Sequence, residues 1–254
     1  MSFIFVGCPS HDKKVRLADS NFNLVDSWNP FIGKWESNIP SMNSAKMVSE
    51  FETNGTYTCT FPDLSSDTYK GGYLVEGNIM VTFLSVDGGI GGYTFEVVDN
   101  DTINVIEIAD VNEDGSIETG NTVPFTRFPN SPVNSERKPF ALNTTLIGGT
   151  WHETSTPQQT TYQFKIDGKG TMKYNADGQQ LSSEIAYSVV HDKGIDETVL
   201  ILFVPKTNKF TAYSFAIKEN ENTITVKEIT EIKTDSQKYT AVYGTSVIFA
   251  RKLD

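Results

Sequence analysis

The residues best spaced for chemistry run from Asp110 to Glu118, in the order Asp-Val-Asn-Glu-Asp-Gly-Ser-Ile-Glu. Asp110, Asn112 and Asp114 supply oxygens at alternate positions, followed by Gly115, Ser116 and the apolar Ile117. This matches the first part of an EF-hand-type calcium loop, where alternate side chains converge on one cation and a glycine lets the chain wrap it. The twelfth position is Asn121 instead of a bidentate glutamate. The segment therefore reads either as a Ca2+ site at residues 110–118 or as a polar hairpin with an Asp-Gly turn.

Two further groups could hold a guest. Tyr57, Tyr93 and Phe95 fall on apolar–polar alternating segments, as do Tyr162, Tyr213 and Phe215. On one face of a strand, such rings form either a filled core or the wall of a pocket with hydroxyls to fix a polar end. Glu107 shares the parity of Ile103 and Val105, and Glu228 that of Ile224 and Val226. Strict alternation turns both carboxylates inward, where they need a partner. A β-bulge that reversed the parity would put both in water. Enzyme signatures are poor. His152 and His191 have no Ser or Cys partner at a turn, and there is neither a Gly-x-Ser-x-Gly elbow nor a phosphate loop, so catalysis is not expected.

The elements that must position these residues occur twice. Gly33-Lys-Trp35 is echoed by Gly149-Thr-Trp151, and Phe51-x-x-Asn-Gly55 by Phe164-x-x-Asp-Gly168. Thr102-Ile-x-Val-x-Glu107-Ile recurs as Thr223-Ile-x-Val-x-Glu228-Ile, and Phe125-Thr-Arg127 as Phe249-Ala-Arg251. Matches in constant order with drifting offsets mean duplication of a unit of about 100 residues, the size of a small domain. Within each copy, five- to eight-residue alternating segments are separated by Asn-Gly and Asp-Gly turns, with no helical stripe. The first copy gives eight strands, near 33–38, 46–53, 56–61, 72–77, 79–85, 92–98, 102–109 and 122–128. Eight short antiparallel strands close into an up-and-down barrel, which removes exposed edges. The expected architecture is all-β: two tandem eight-stranded antiparallel barrels at 28–128 and 144–254, joined by a Pro-rich linker at 129–143. The glycine-rich Asp87 to Gly92 connection is expected at the open mouth with the 110–118 loop, as a mobile rim or a long hairpin loop.

A Gly-x-Trp opening the first strand, with an arginine closing the last, resembles the lipocalin and calycin barrels. Here the pattern is Gly33, Trp35 and Arg127, then Gly149, Trp151 and Arg251. The resemblance implies that each arginine packs across its tryptophan at the closed end, a cation–π contact. It also implies that Trp28-Asn29-Pro30-Phe31 plugs that end. The implied function is non-covalent binding of a small apolar or amphipathic molecule in a calyx. The alternative is a ligand-free interaction module: two solid barrels presenting acidic loops to a protein or envelope partner.

Val6-Gly7-Cys8 after a short apolar run resembles the tail of a bacterial lipoprotein signal. It implies lipidation at Cys8, residues 1–27 as a tether, and an acyl anchor holding the protein to a bilayer at the cell envelope or outer surface. Composition narrows the rest. Lys+Arg 21 against Asp+Glu 32 gives a net charge of −11, which disfavours nucleic acid. That excess sits almost wholly in the first copy, with 4 basic and 15 acidic residues between 29 and 128.

Overall fold

The computed structural model describes residues 29–39, 44–131, 147–155, 160–176, 178–217, 222–235 and 238–251. Cys8, the 1–27 tether and most of the 129–143 connector lie outside them. The described residues form sixteen strands and no α-helix. The first eight are β1 (Gly33–Ile39), β2 (Ala45–Phe51), β3 (Thr56–Thr60), β4 (Thr68–Glu76), β5 (Ile79–Leu84), β6 (Gly89–Asp99), β7 (Thr102–Val111) and β8 (Ile117–Arg127). Each pairs antiparallel with the next, and β8 returns to β1 through Arg127 opposite Trp35, so the sheet is a closed barrel. The other eight are β9 (Gly149–Glu153), β10 (Thr161–Phe164), β11 (Lys169–Ala176), β12 (Gln179–Asp192), β13 (Glu197–Val204), β14 (Lys209–Ile217), β15 (Thr223–Asp235) and β16 (Lys238–Arg251). They form a ring that β16 closes on β9, with Arg251 opposite Trp151.

The duplication reaches the hydrogen bonds. Trp35 Nε1 donates to the Phe31 carbonyl at 2.6 Å, and Trp151 Nε1 to that of Ile147 at 2.7 Å. Both tryptophans are fully buried. The Arg127 guanidinium carbon lies 4.1 Å from the Trp35 ring centre, and that of Arg251 lies 4.7 Å from Trp151. Arg127 Nε also donates to the Asn100 carbonyl at 2.9 Å, which ties the last strand to the β6–β7 turn. Phe31 fills the base of the first barrel, with ring centres 4.9 Å from Phe95 and 5.3 Å from Phe51. Gly33 and Gly149 open their strands at φ of 113° and 114°, a region where a Cβ is strained.

The two halves share a core. Leu74, Ile79, Val81 and Phe83 of the barrel pack with Ala186, Val190, Val199, Ile201, Phe203 and Ala212 of the ring in one buried cluster. These side chains point away from their own barrel interiors, because Tyr73, Met80 and Leu84 occupy the inward positions of β4 and β5. Equivalent strands meet: β4 packs on β12, β5 on β13 and β6 on β14. The arrangement is that of an isologous dimer within one chain. Two glycines bring the sheets close. A Cβ on Gly72 would lie 2.3 Å from Val190, and one on Gly92 2.4 Å from Phe210. The rim reading of the glycines is thereby corrected. Gly89, Gly91 and Gly92 belong to β6, paired with Leu84, Thr82 and Val81, and they give room to neighbouring side chains.

Candidate functional site

The open end of the first barrel holds a cavity of about 100 Å3. Its size is on the scale of the roughly 150 Å3 apolar void that accepts a benzene ring. Most of the wall is apolar, with Phe51, Tyr57, Met80, Leu84, Val105 and Phe125 turned inward by strand alternation. On the side formed by β5 to β8 the wall turns polar with Thr82, Asp87, Tyr93, Glu107 and Asn121, while Ile39, Met47, Phe61, Tyr69 and Val86 keep the rest of the open end apolar. The Thr82 hydroxyl lies near both the Tyr57 and the Tyr93 hydroxyl, where it partly offsets the effect of their burial, and so joins β3, β5 and β6 across the interior. Gly91 leaves open the space that the Tyr93 hydroxyl approaches, 3.0 Å from where a Cβ would be.

Of the residues chosen from sequence, Tyr57, Tyr93 and Glu107 line this cavity, and Phe95 does not. Phe95 points inward but lies deeper, edge-on to Phe31, so it belongs to the plug. The two readings of Glu107 are resolved by the register. A bulge is present, but its extra residue is on the partner strand: Gly120 and Asn121 together oppose Glu107. The alternation of β7 therefore holds from Ile103 to Glu107, which stays inward, and the extra residue of β7 itself, Ala109, comes only after it. A Cβ on Gly120 would come within 2.8 Å of the Glu107 carboxylate, so the glycine makes its space. The second copy repeats the device, with Gly244 and Thr245 opposite Glu228.

Burial, then the charge of Glu107, pushes Asp87 up to about 7. Burial raises Tyr93 as well, with the Asp87 and Glu107 charges adding to it. The free thiol of Cys59 is pushed up to about 12, by burial first and Asp87 second, so it is a small apolar wall residue and a poor nucleophile. Asp87 ends the 3-10 turn Ser85–Asp87 between β5 and β6. That turn is held by the other half. Asp192, with no exposed surface, accepts from the Ser85 amide at 3.1 Å and from the Gly194 and Ile195 amides at 2.9 and 3.1 Å. Ile232 packs 3.2 Å from the Cβ position of Gly89, at the other end of the turn. The ring thus fixes part of the barrel's mouth.

The ring contains a cavity of about 90 Å3, lined by Tyr162, Phe164, Leu200, Leu202, Tyr213, Val226, Phe249 and Glu153 among others. Tyr162 and Tyr213 are there as anticipated. Phe215 is buried in the surrounding core and is not on the wall. Glu228 is not on the wall either: it lies opposite Tyr213 in register, and its charge adds to burial in raising that hydroxyl. The carboxylate on this wall is Glu153, which accepts from the Thr160 amide at 3.2 Å. Its signal in sequence was its parity with Trp151.

The 110–118 segment is a hairpin between β7 and β8. Asp114 Oδ1 accepts from the Ser116 amide at 2.9 Å and from its hydroxyl at 2.6 Å, and Asn112 Nδ2 donates to Ser116 Oγ at 3.0 Å. Asp110 Oδ1 accepts from the Val111 amide at 2.8 Å. Asn112, Asp114 and Ser116 thus gather around the Ser116 hydroxyl, and Asp110 bonds to its neighbouring amide. Among the described residues no group of three or more His, Cys, Asp or Glu side chains is placed to hold a metal ion. The loop docks on the ring, where Asn208 Nδ2 donates to the Gly115 carbonyl at 2.9 Å. Compared with known proteins, the chain matches no family model and no curated protein.

Proposed function

We propose that the protein is a calyx-type binding protein, which takes a small amphipathic molecule non-covalently into the first barrel. The observation that carries this reading is the cavity itself, mostly apolar with a group of polar side chains on the β5 to β8 side. The second ring is read as a lipocalin-like barrel of the same design, and the two cavities favour the calyx over solid interaction modules. An anchor at Cys8 would place the pair at an envelope surface; the support is the Val6-Gly7-Cys8 pattern. The magnitude is modest. A guest burying about 150 Å2 of apolar surface gains about 4 kcal/mol, a dissociation constant near millimolar, so contacts at the mouth must supply any tighter binding.

The test is titration of the full chain with n-hexanol, followed by thermal melting and by calorimetry. A rise in midpoint that is lost on Val105→Trp, which fills the cavity, is the expected result. No binding to a correctly folded chain overturns the calyx reading.

A further inference from the structure

Asp87 and Glu107 on the wall of the first cavity stand apart from several other enclosed carboxylates of the protein. Glu76 pairs with Lys169, Asp192 accepts three backbone amides, and Glu153 accepts the Thr160 amide. Asp87 and Glu107 line the same cavity, near enough for the charge of Glu107 to act on Asp87, with no cation and no amide against either among the described residues. No Lys, Arg or His lines the cavity. The bulge residue Gly120 gives the Glu107 carboxylate its place on the wall, and the Asp192 clamp holds the turn that carries Asp87. Like charges brought together on the wall of a mostly apolar cavity cost free energy unless a positive charge joins them.

We propose that the first barrel selects amphipathic cations, taking an ammonium-type head between Asp87 and Glu107 and an alkyl or aromatic body among Tyr57, Met80, Val105 and Phe125. The inference rests on the calyx reading and adds the charge of the guest. The rings of Tyr57 and Tyr93 suit a cation too, since the face of an aromatic ring is negative. An anionic guest, such as a fatty acid with its head at the mouth, is repelled by the same pair.

The titration of Asp87 supports this and supplies a second signature. The groups facing it are Glu107 from β7, Tyr93 from β6, and Tyr57 and Cys59 from β3. With Asp87 near 7 in the empty cavity, a bound cation favours its ionised form, so binding releases part of a proton. Affinity for a cation therefore rises as pH increases from about 6 to about 8, while affinity for a neutral guest does not.

The experiment compares n-hexylamine, n-hexanol and n-hexanoate, equal in chain length, by calorimetry on the full chain. Hexylamine is expected to bind about tenfold or more tighter than hexanol, and hexanoate more weakly than either. In the doubly isosteric variant Asp87→Asn/Glu107→Gln the amine should fall to the level of the alcohol while hexanol binding persists. Equal binding of amine and alcohol to the unmodified chain overturns the cation proposal and leaves the calyx standing. So does an amine preference that survives in the folded variant. Failure of all three to bind overturns both. If the variant does not fold, the ranking and its pH dependence on the unmodified chain decide alone.

Discussion

Replacing Asp192 by alanine tests how the two halves of the chain cooperate. The carboxylate is fully buried and accepts three amides, one of them across the interface from Ser85. The Gly194 backbone is exposed and Ile195 is half-buried, so water can take over those two amides at small cost. Ser85 is 1% exposed, and its amide would be left without an acceptor, a penalty of about 1–3 kcal/mol. Relief of the carboxylate's own desolvation offsets part of this. The net loss is about 1–2 kcal/mol, and Asp192→Asn, which keeps one acceptor oxygen, loses less. Urea denaturation followed by far-UV circular dichroism reads both values. Hydrogen exchange should show faster exchange at the Ser85 amide, and hexanol affinity should fall as the Ser85–Asp87 turn loosens. An alanine variant within about 0.5 kcal/mol of the parent, with the Ser85 amide still protected, would refute the clamp.

Other consequences follow from the same contacts. Arg127→Leu removes the stack on Trp35 and the bond to the Asn100 carbonyl, and should cost about 1–2 kcal/mol in a denaturant melt. Gly72→Ala sets a Cβ against Val190 and should cost about 1–3 kcal/mol, with Val190→Ala restoring part of it in a double-mutant cycle. Asp87 binds its proton more tightly folded, near 7, than unfolded, near 4. Its contribution is full below about pH 4 and lost as pH rises through about 7, a fall of about 2 kcal/mol after allowing for solvent at the mouth. Asp87→Asn should flatten that slope in pH-dependent melts.

The fold was readable because the duplicated pattern is local. Most strands alternate, several turns carry Asn-Gly or Asp-Gly, and Gly33-Lys-Trp35 comes with its distant arginine. The packing of the halves left a fainter trace. Val199 to Phe203 is an unbroken apolar run, the pattern of a strand buried on both faces, and Ile79 to Val81 is another. The glycines of β6 suggested a loose rim because the side chain that fills their space, Phe210, comes from the other copy, about 120 residues away. Asp87 was passed over for a similar reason. It sits in a turn, where alternation assigns no face, and that turn is held from the other half of the chain by Asp192 through the Ser85 amide. Glu107 was legible in part: its parity was correct, but which strand carried the bulge could not be read from one strand alone.

The central claim is a cavity in the first barrel that an apolar body can enter. Its most direct test is a crystal of the full chain held under xenon, which occupies dry apolar voids. The structure predicts xenon density enclosed by Tyr57, Met80, Val105 and Phe125. Side chains closed across that space, with no xenon between them, would contradict it.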